Sequence, residues 1–292
     1  MTEGSLEDVA LLVGGLSFPE EPRWRDGLLW FVDAGANQIL AVDEEGGEAR
    51  RIPLDFTPGG LGWLPDETLL VVDIQARRMV AIAPRGSSSA TYADVSRLAR
   101  LRPNGLCVDQ NGLAYVATIG SELRAEEPRP SGNIILVTPD LRQEVLFEED
   151  IRFPNGISLS LDQRRLYVPE TFGERVSIFE LATGARVLAP VPGTWPDGSC
   201  AASDDSLWFA DAGSSRIIRV DHDGRTVETQ TFSRRCYAPA MNARRDRLYA
   251  AVADDHGAAA RARRTGAILW KPVPASQQMF DAEDAKRAGS RC

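Results

Sequence analysis

The sequence predicts an all-β fold, a six-bladed β-propeller with four-stranded blades. Three observations carry that prediction: an internal repeat of about 40 residues, a short turn motif ahead of each repeat, and no long stretch of helical periodicity. Propellers of this size form one unit, so the 292 residues need not divide into two domains.

The repeat is read from six runs: LLWFVD at 28–33, LLVVD at 69–73, LAYVAT at 113–118, LYVPE at 166–170, LWFAD at 207–211 and LYAAV at 248–252. Each is rich in β-branched and aromatic residues and bounded by turn formers, which marks a strand. Taking Trp30, Val71, Tyr115, Tyr167, Trp208 and Tyr249 as markers, the steps are 41, 44, 52, 41 and 41 residues. A following strand closed by a polar turn recurs, as in QILAVD at 38–43, NIILV at 133–137 and RIIRVD at 216–221. The propeller domain is expected to span 1–274. A strand at about 8–13 closes the last blade, since an unpaired sheet edge is a liability. A polar tail follows at 275–292.

The turn motif reads PEE at 19–21, PGG at 58–60, PNG at 103–105 and 154–156, and PDG at 196–198; YAP at 237–239 breaks it. Its middle residue lies 10 to 12 residues before the marker of its blade. Proline suits the start of a strand, where its missing N–H costs little. The innermost strand of each blade lines the central channel, so these middle residues form a ring at one end: Glu20, Gly59, Asn104, Asn155, Asp197 and Ala238.

Two carboxylates and two carboxamides thus converge on one axis. Like charges brought together repel and raise a pKa, and a divalent cation removes the conflict. With only oxygen donors and neither Cys nor His, the ring suits a hard ion, Ca²⁺ above all, with Zn²⁺, Mg²⁺ and Mn²⁺ as alternatives. The competing reading is that Asn and Asp are ordinary turn residues at strand entries; their register across blades argues against it.

The motifs Glu20-Glu21-Pro22-Arg23-Trp24, Arg102-Pro103-Asn104-Gly105, Phe153-Pro154-Asn155-Gly156 and Pro196-Asp197-Gly198 resemble those of the senescence-marker-protein-30/gluconolactonase/luciferin-regenerating-enzyme-like family, over about residues 12 to 272. The resemblance implies a six-bladed propeller with one catalytic metal, held by Glu20, Asn155 and Asp197. It implies substrate or metal-bound water at Asn104, and substrate oxygens at Arg102. At Gly105 the chain departs from the family, where an Asp often stands. The activity implied is metal-assisted lactone hydrolysis, with Asp197 the candidate base. A metal-dependent cyclase, isomerase or hydratase, or a non-catalytic binding propeller, are the alternatives, because fold does not determine function.

Other residues are expected near the mouth. Asp33, Asp73, Glu170 and Asp211 end their second strands on the side of the ring. For the aspartates a turn-forming role is the simpler reading; Glu170 is a candidate substrate contact. Trp195 and Tyr237 are candidate pocket walls. Cys236, beside Tyr237 with Arg234 and Arg235 nearby, is a remote candidate nucleophile. The loops 119–132 and 253–266 are candidate covers.

The net charge of −9 argues against nucleic acid, which needs a basic face. No run of about 18 apolar residues predicts a membrane span. The start of the chain lacks the basic segment of a secretory signal, and the four cysteines are sparse and contain no C-x-x-C pair. The expectation is a cytoplasmic protein, monomeric or a small homo-oligomer, acting on a small oxygen-rich substrate.

Overall fold

The computed structural model describes residues 6–84, 88–123, 129–204, 206–254 and 256–273. The tail expected at 275–292 lies outside the described residues, as does part of the loop 119–132.

Among the described residues the strands form six four-stranded antiparallel sheets, arranged as a six-bladed β-propeller. Blade one runs outward from the axis through Pro19–Arg25, Leu28–Asp33, Gln38–Val42 and Glu48–Pro53. Blades two to five repeat this order. Blade six begins with Cys236–Met241, Arg247–Val252 and Gly266–Pro272, and its outermost strand is Ala10–Leu16 from the start of the chain. First and last segments of the propeller thereby share one sheet, with Ala10 opposite Trp270 and Leu16 opposite Gly266.

The predicted runs become the second strands, and their burial explains the composition. Leu28–Asp33 and Leu69–Asp73 are apolar on both faces because each blade is sandwiched between two neighbours. Six hydrophobic clusters lie between successive blades, so the core is a ring of interfaces rather than one centre. Phe31, Leu40, Tyr249 and Ile268 close it between blades one and six. Each fully buried side chain of this kind is worth about 1.5–3 kcal/mol, which holds the inner strands in position around the channel.

Outer strands are less buried; Glu48–Pro53 is exposed along most of its length. The 253–266 loop contains a short helix, Gly257–Arg263. No helix among the described residues is long and apolar enough to cross a membrane.

Candidate metal centre

The inner strands are bulged where the turn motif stands. In blade one Glu20 pairs with Val32 but Arg23 with Trp30, so one residue is extra; the same slip occurs between Pro58 and Leu61, Pro103 and Leu106, Pro196 and Ser199, and Cys236 and Ala238. A bulge bends the strand and re-aims a side chain. Glu21 takes up the blade-one bulge with φ of 51°, in the left-handed region.

The glycine that follows the ring residue in blades two to five has a steric reason. A Cβ on Gly105 would stand 2.4 Å from the Asn155 carbonyl oxygen, and one on Gly198 2.3 Å from the Ala238 Cβ. Only glycine lets inner strands crowd this closely around the axis. The departure at Gly105 follows: an Asp has no room there.

Asn104, Asn155 and Asp197 meet directly. Asn104 Nδ2 donates to Asn155 Oδ1 at 2.7 Å. Asn155 Nδ2 donates to Thr171 Oγ1 at 3.3 Å, and Thr171 Oγ1 donates to the Pro196 carbonyl at 2.8 Å. Asn155 also hydrogen-bonds the Asp197 carboxylate, which favours its charged form. Asn155 Oδ1 has two lone pairs, so accepting from Asn104 leaves one for another partner.

The carboxylates carry the electrostatic signature. Desolvation at the channel mouth pushes the Glu20 pKa well above the usual range, and the charges of Asp197 and Glu21 push it further. Asp197 is raised by burial first and by Glu21 second, with Asn155 opposing. Burial also raises Glu21, against the Arg23 guanidinium beside it. Arg23 Nη2 donates to Glu21 Oε2 at 2.6 Å and reaches the carbonyls of Leu106 at 3.2 Å and Ile157 at 3.1 Å.

Glu21 and Arg23 were not anticipated as functional residues. Alternation along an extended strand would turn Glu21 away from the face Glu20 uses, and the bulge overrides it. The one signal was two acids and an arginine within Glu20-Glu21-Pro22-Arg23.

The remaining candidates divide. Trp195 is 51% exposed, its backbone N–H is anchored on Asp211 Oδ1 at 2.9 Å, and a Cβ on Gly213 would stand 3.5 Å from its ring. Tyr237 packs edge-on against Phe18, with ring centroids 4.7 Å apart. Burial is the main cause lifting its hydroxyl to about 12; Arg235 opposes, and the charges of Glu20 and Asp197 add, which places it within their field. The Arg102 guanidinium pairs with Glu122 at the base of the 119–132 loop.

Glu170, a candidate substrate contact, is held by its neighbours. Its side chain is fully buried, and both oxygens are taken: Oε1 by Arg186 at 2.7 Å and Ser177, Oε2 by Arg175 at 2.9 Å and the Arg152 N–H at 2.7 Å. Asp33, Asp73 and Asp211 are likewise buried and bound to backbone amides, and Asp73 and Asp211 also to arginines. Cys236 lies in the core with its thiol against the Arg234 carbonyl, and burial pushes its pKa up, so it holds no thiolate.

The site therefore fits a hard divalent ion. When ionised, Glu20, Glu21 and Asp197 carry three formal negative charges, and the one ion pair that any of them makes among the described residues is Glu21 with Arg23. Among the described residues no three of His, Cys, Asp and Glu stand close enough to hold an ion by themselves. The amide oxygens of Asn155 and Asn104 are needed, and such oxygen sets suit Ca²⁺ or Mg²⁺.

Comparison with known proteins agrees with the architecture. The model of the SMP-30/Gluconolactonase/LRE-like region matches residues 18–254. The chain is similar to lactonase drp35 of Staphylococcus haemolyticus (strain JCSC1435), 29% identical over 116 residues, which cover 37% of this chain and 36% of the relative. The match thus spans little more than a third of that protein's length. Among solved structures, a calcium-binding protein, regucalcin, from Agrobacterium tumefaciens str. C58 superposes with a TM-score of 0.76 at 20% identity, covering 93% of this chain and 95% of its own. A gluconolactonase from Xanthomonas campestris gives 0.72 at 19% identity, covering 91% and 89%.

Proposed function

We propose, from the premise that the chain belongs to the SMP-30/gluconolactonase/LRE-like family, that it is a divalent-metal-dependent lactonase opening a small, oxygen-rich lactone. One observation carries this reading: the carboxyl groups of Glu20 from blade one and Asp197 from blade five come close enough at the channel for the charge of Asp197 to raise the pKa of Glu20, and among the described residues no ion pair neutralises either. Similarity to a lactonase over part of the chain and to a calcium-binding neighbour supports the same chemistry and the same ion, Ca²⁺.

Glu20, Asn155 and Asp197 would hold the cation. When bound, it polarises the ester carbonyl and stabilises the oxyanion. The chain's own residues do the rest. Thr171 fixes Asn155, and Asn155 fixes Asn104, so the two carboxamides are oriented before substrate arrives. Asn104 is placed to hydrogen-bond the lactone or the attacking water. Trp195 offers an apolar wall, and Arg102, released from Glu122, offers a fork for a substrate carbonyl or carboxylate. Asp197 accepts a proton from the attacking water as its oxygen bonds to the carbonyl carbon. The ring C–O bond then breaks, and the proton passes to the departing alkoxide, giving a hydroxy acid.

The test is a panel of small lactones assayed after chelation and after return of Ca²⁺, Mg²⁺, Mn²⁺ or Zn²⁺. Turnover that vanishes on chelation and returns with one ion is expected. Metal binding without turnover of any lactone would transfer the site to a cyclase, isomerase or hydratase.

A further inference from the structure

We propose that the Glu21–Arg23 ion pair is the floor of the cation site and sets its charge, so that a divalent ion is the neutralising guest. The inference rests on the reading of the ring as a cation site, and adds to it two positioning residues.

Three observations support it. The pair sits on the channel, next to the ring: Glu21 is 4% exposed, and a Cβ on Gly156 of blade four would stand 2.7 Å from its Oε1. Arg23 spans the channel, because the nitrogen that binds Glu21 Oε2 also reaches carbonyls of blades three and four. Anything entering from the mouth therefore meets a closed cup. Third, Glu21 directly follows Glu20 on the same strand, so its charge lies beside the ring.

The arithmetic then matters. When ionised, Glu20 and Asp197 alone carry two formal negative charges, Glu21 makes three, and the Arg23 guanidinium returns the total to two. A buried ion pair contributes little to stability compared with apolar residues of similar volume. In this position it adjusts which ionic charge the cup accepts. Losing Arg23 alone favours a trivalent guest; losing Glu21 alone leaves a divalent ion under-compensated; losing both restores the balance.

The experiment compares Ca²⁺ and La³⁺ binding by isothermal titration to the full chain, wild type and variants, with folding checked by circular dichroism. Arg23→Met is expected to raise the La³⁺/Ca²⁺ affinity ratio by about tenfold or more, since one unit charge at close range outweighs thermal energy in a partly desolvated site. Glu21→Gln is expected to lower the ratio and weaken Ca²⁺ by about tenfold. The double variant should return the ratio to within about threefold of wild type, as compensating charges require. If Arg23→Met does not fold, Arg23→Lys and Glu21→Gln decide: lysine keeps the ratio and glutamine shifts it. Wild type that binds neither ion overturns the cation-site reading itself. Wild type that binds both, with ratios unmoved in the variants, overturns the charge-setting role alone.

Discussion

Two groups of carboxylates lie at the mouth end of the propeller, one buried throughout and one buried at Asp197 and half-buried at Glu20, and they differ in who neutralises them. Asp73, Glu170 and Asp211, at the ends of second strands, each have an arginine of their own, Arg78, Arg175 and Arg216, and Glu170 has Arg186 as well. Asp33 instead takes the backbone amides of Ser17 and Phe18 and the Gln38 carboxamide. Glu20 and Asp197, on the axis, make no ion pair with an arginine or lysine among the described residues: Arg23 pairs with Glu21. The outer group ties turns between strands together. The axial group is left with charge that something from outside must balance. Burial alone does not mark a site; burial without an internal counter-charge does.

The largest effect should come from breaking the outer group. Glu170→Ala takes from Arg186 its carboxylate partner and leaves Arg175 only Asp150, both guanidinium groups being largely covered, and is expected to cost about 3–5 kcal/mol of stability in urea unfolding. Its divalent-ion affinity should stay at the wild-type value. Asp197→Asn should do the reverse. Ion affinity and lactone turnover fall at least about a hundredfold, roughly 2.8 kcal/mol at 1.4 kcal/mol per tenfold, while the metal-free protein unfolds no more easily.

Asp211→Asn sharpens the contrast. It weakens the bonds to Arg216, Ser214 and Gly213 and the anchor of the Trp195 N–H. A loss of about 1–3 kcal/mol is expected, with a raised KM as Trp195 loosens. Trp195→Ala, at an exposed ring, should leave stability within about 0.5 kcal/mol and appear in KM with kcat nearly unchanged, the pattern of lost uniform binding.

The smallest effect is a pH dependence at the other end of blade five. Burial raises the pKa of Asp204, but Arg219 and Ser206 outweigh it and hold the carboxyl at about 2, below its ordinary 3.8. A depressed folded-state pKa stabilises above the unfolded value and is lost as pH falls through the folded one. Asp204→Asn should therefore destabilise modestly at neutral pH, with the difference fading between about pH 4 and pH 2, as acid-unfolding curves would record.

The propeller was legible because each blade repeats its burial: apolar second strands 41 to 52 residues apart can only be buried by neighbours like themselves. The ring was legible because the PNG and PDG motifs combine a strand entry, a polar oxygen and a glycine required by close approach. The arginine partners of Glu170 were not legible, because an acid at a strand end reads alike whether it faces solvent or an arginine. A finer signal existed: Asp73 and Arg78, Glu170 and Arg175, and Asp211 and Arg216 share one spacing, which antiparallel pairing places opposite each other. The Glu21–Arg23 pair was not legible, because no residue type encodes the bulge that turns Glu21 toward the channel.

The most direct test is calorimetric titration of chelator-dialysed protein with Ca²⁺. Binding at one saturable site is predicted in wild type and in Glu170→Gln, and its loss in Glu20→Gln and Asp197→Asn. No binding of Ca²⁺, Mg²⁺, Mn²⁺ or Zn²⁺ to wild type, or full affinity in both axial variants, would contradict the account.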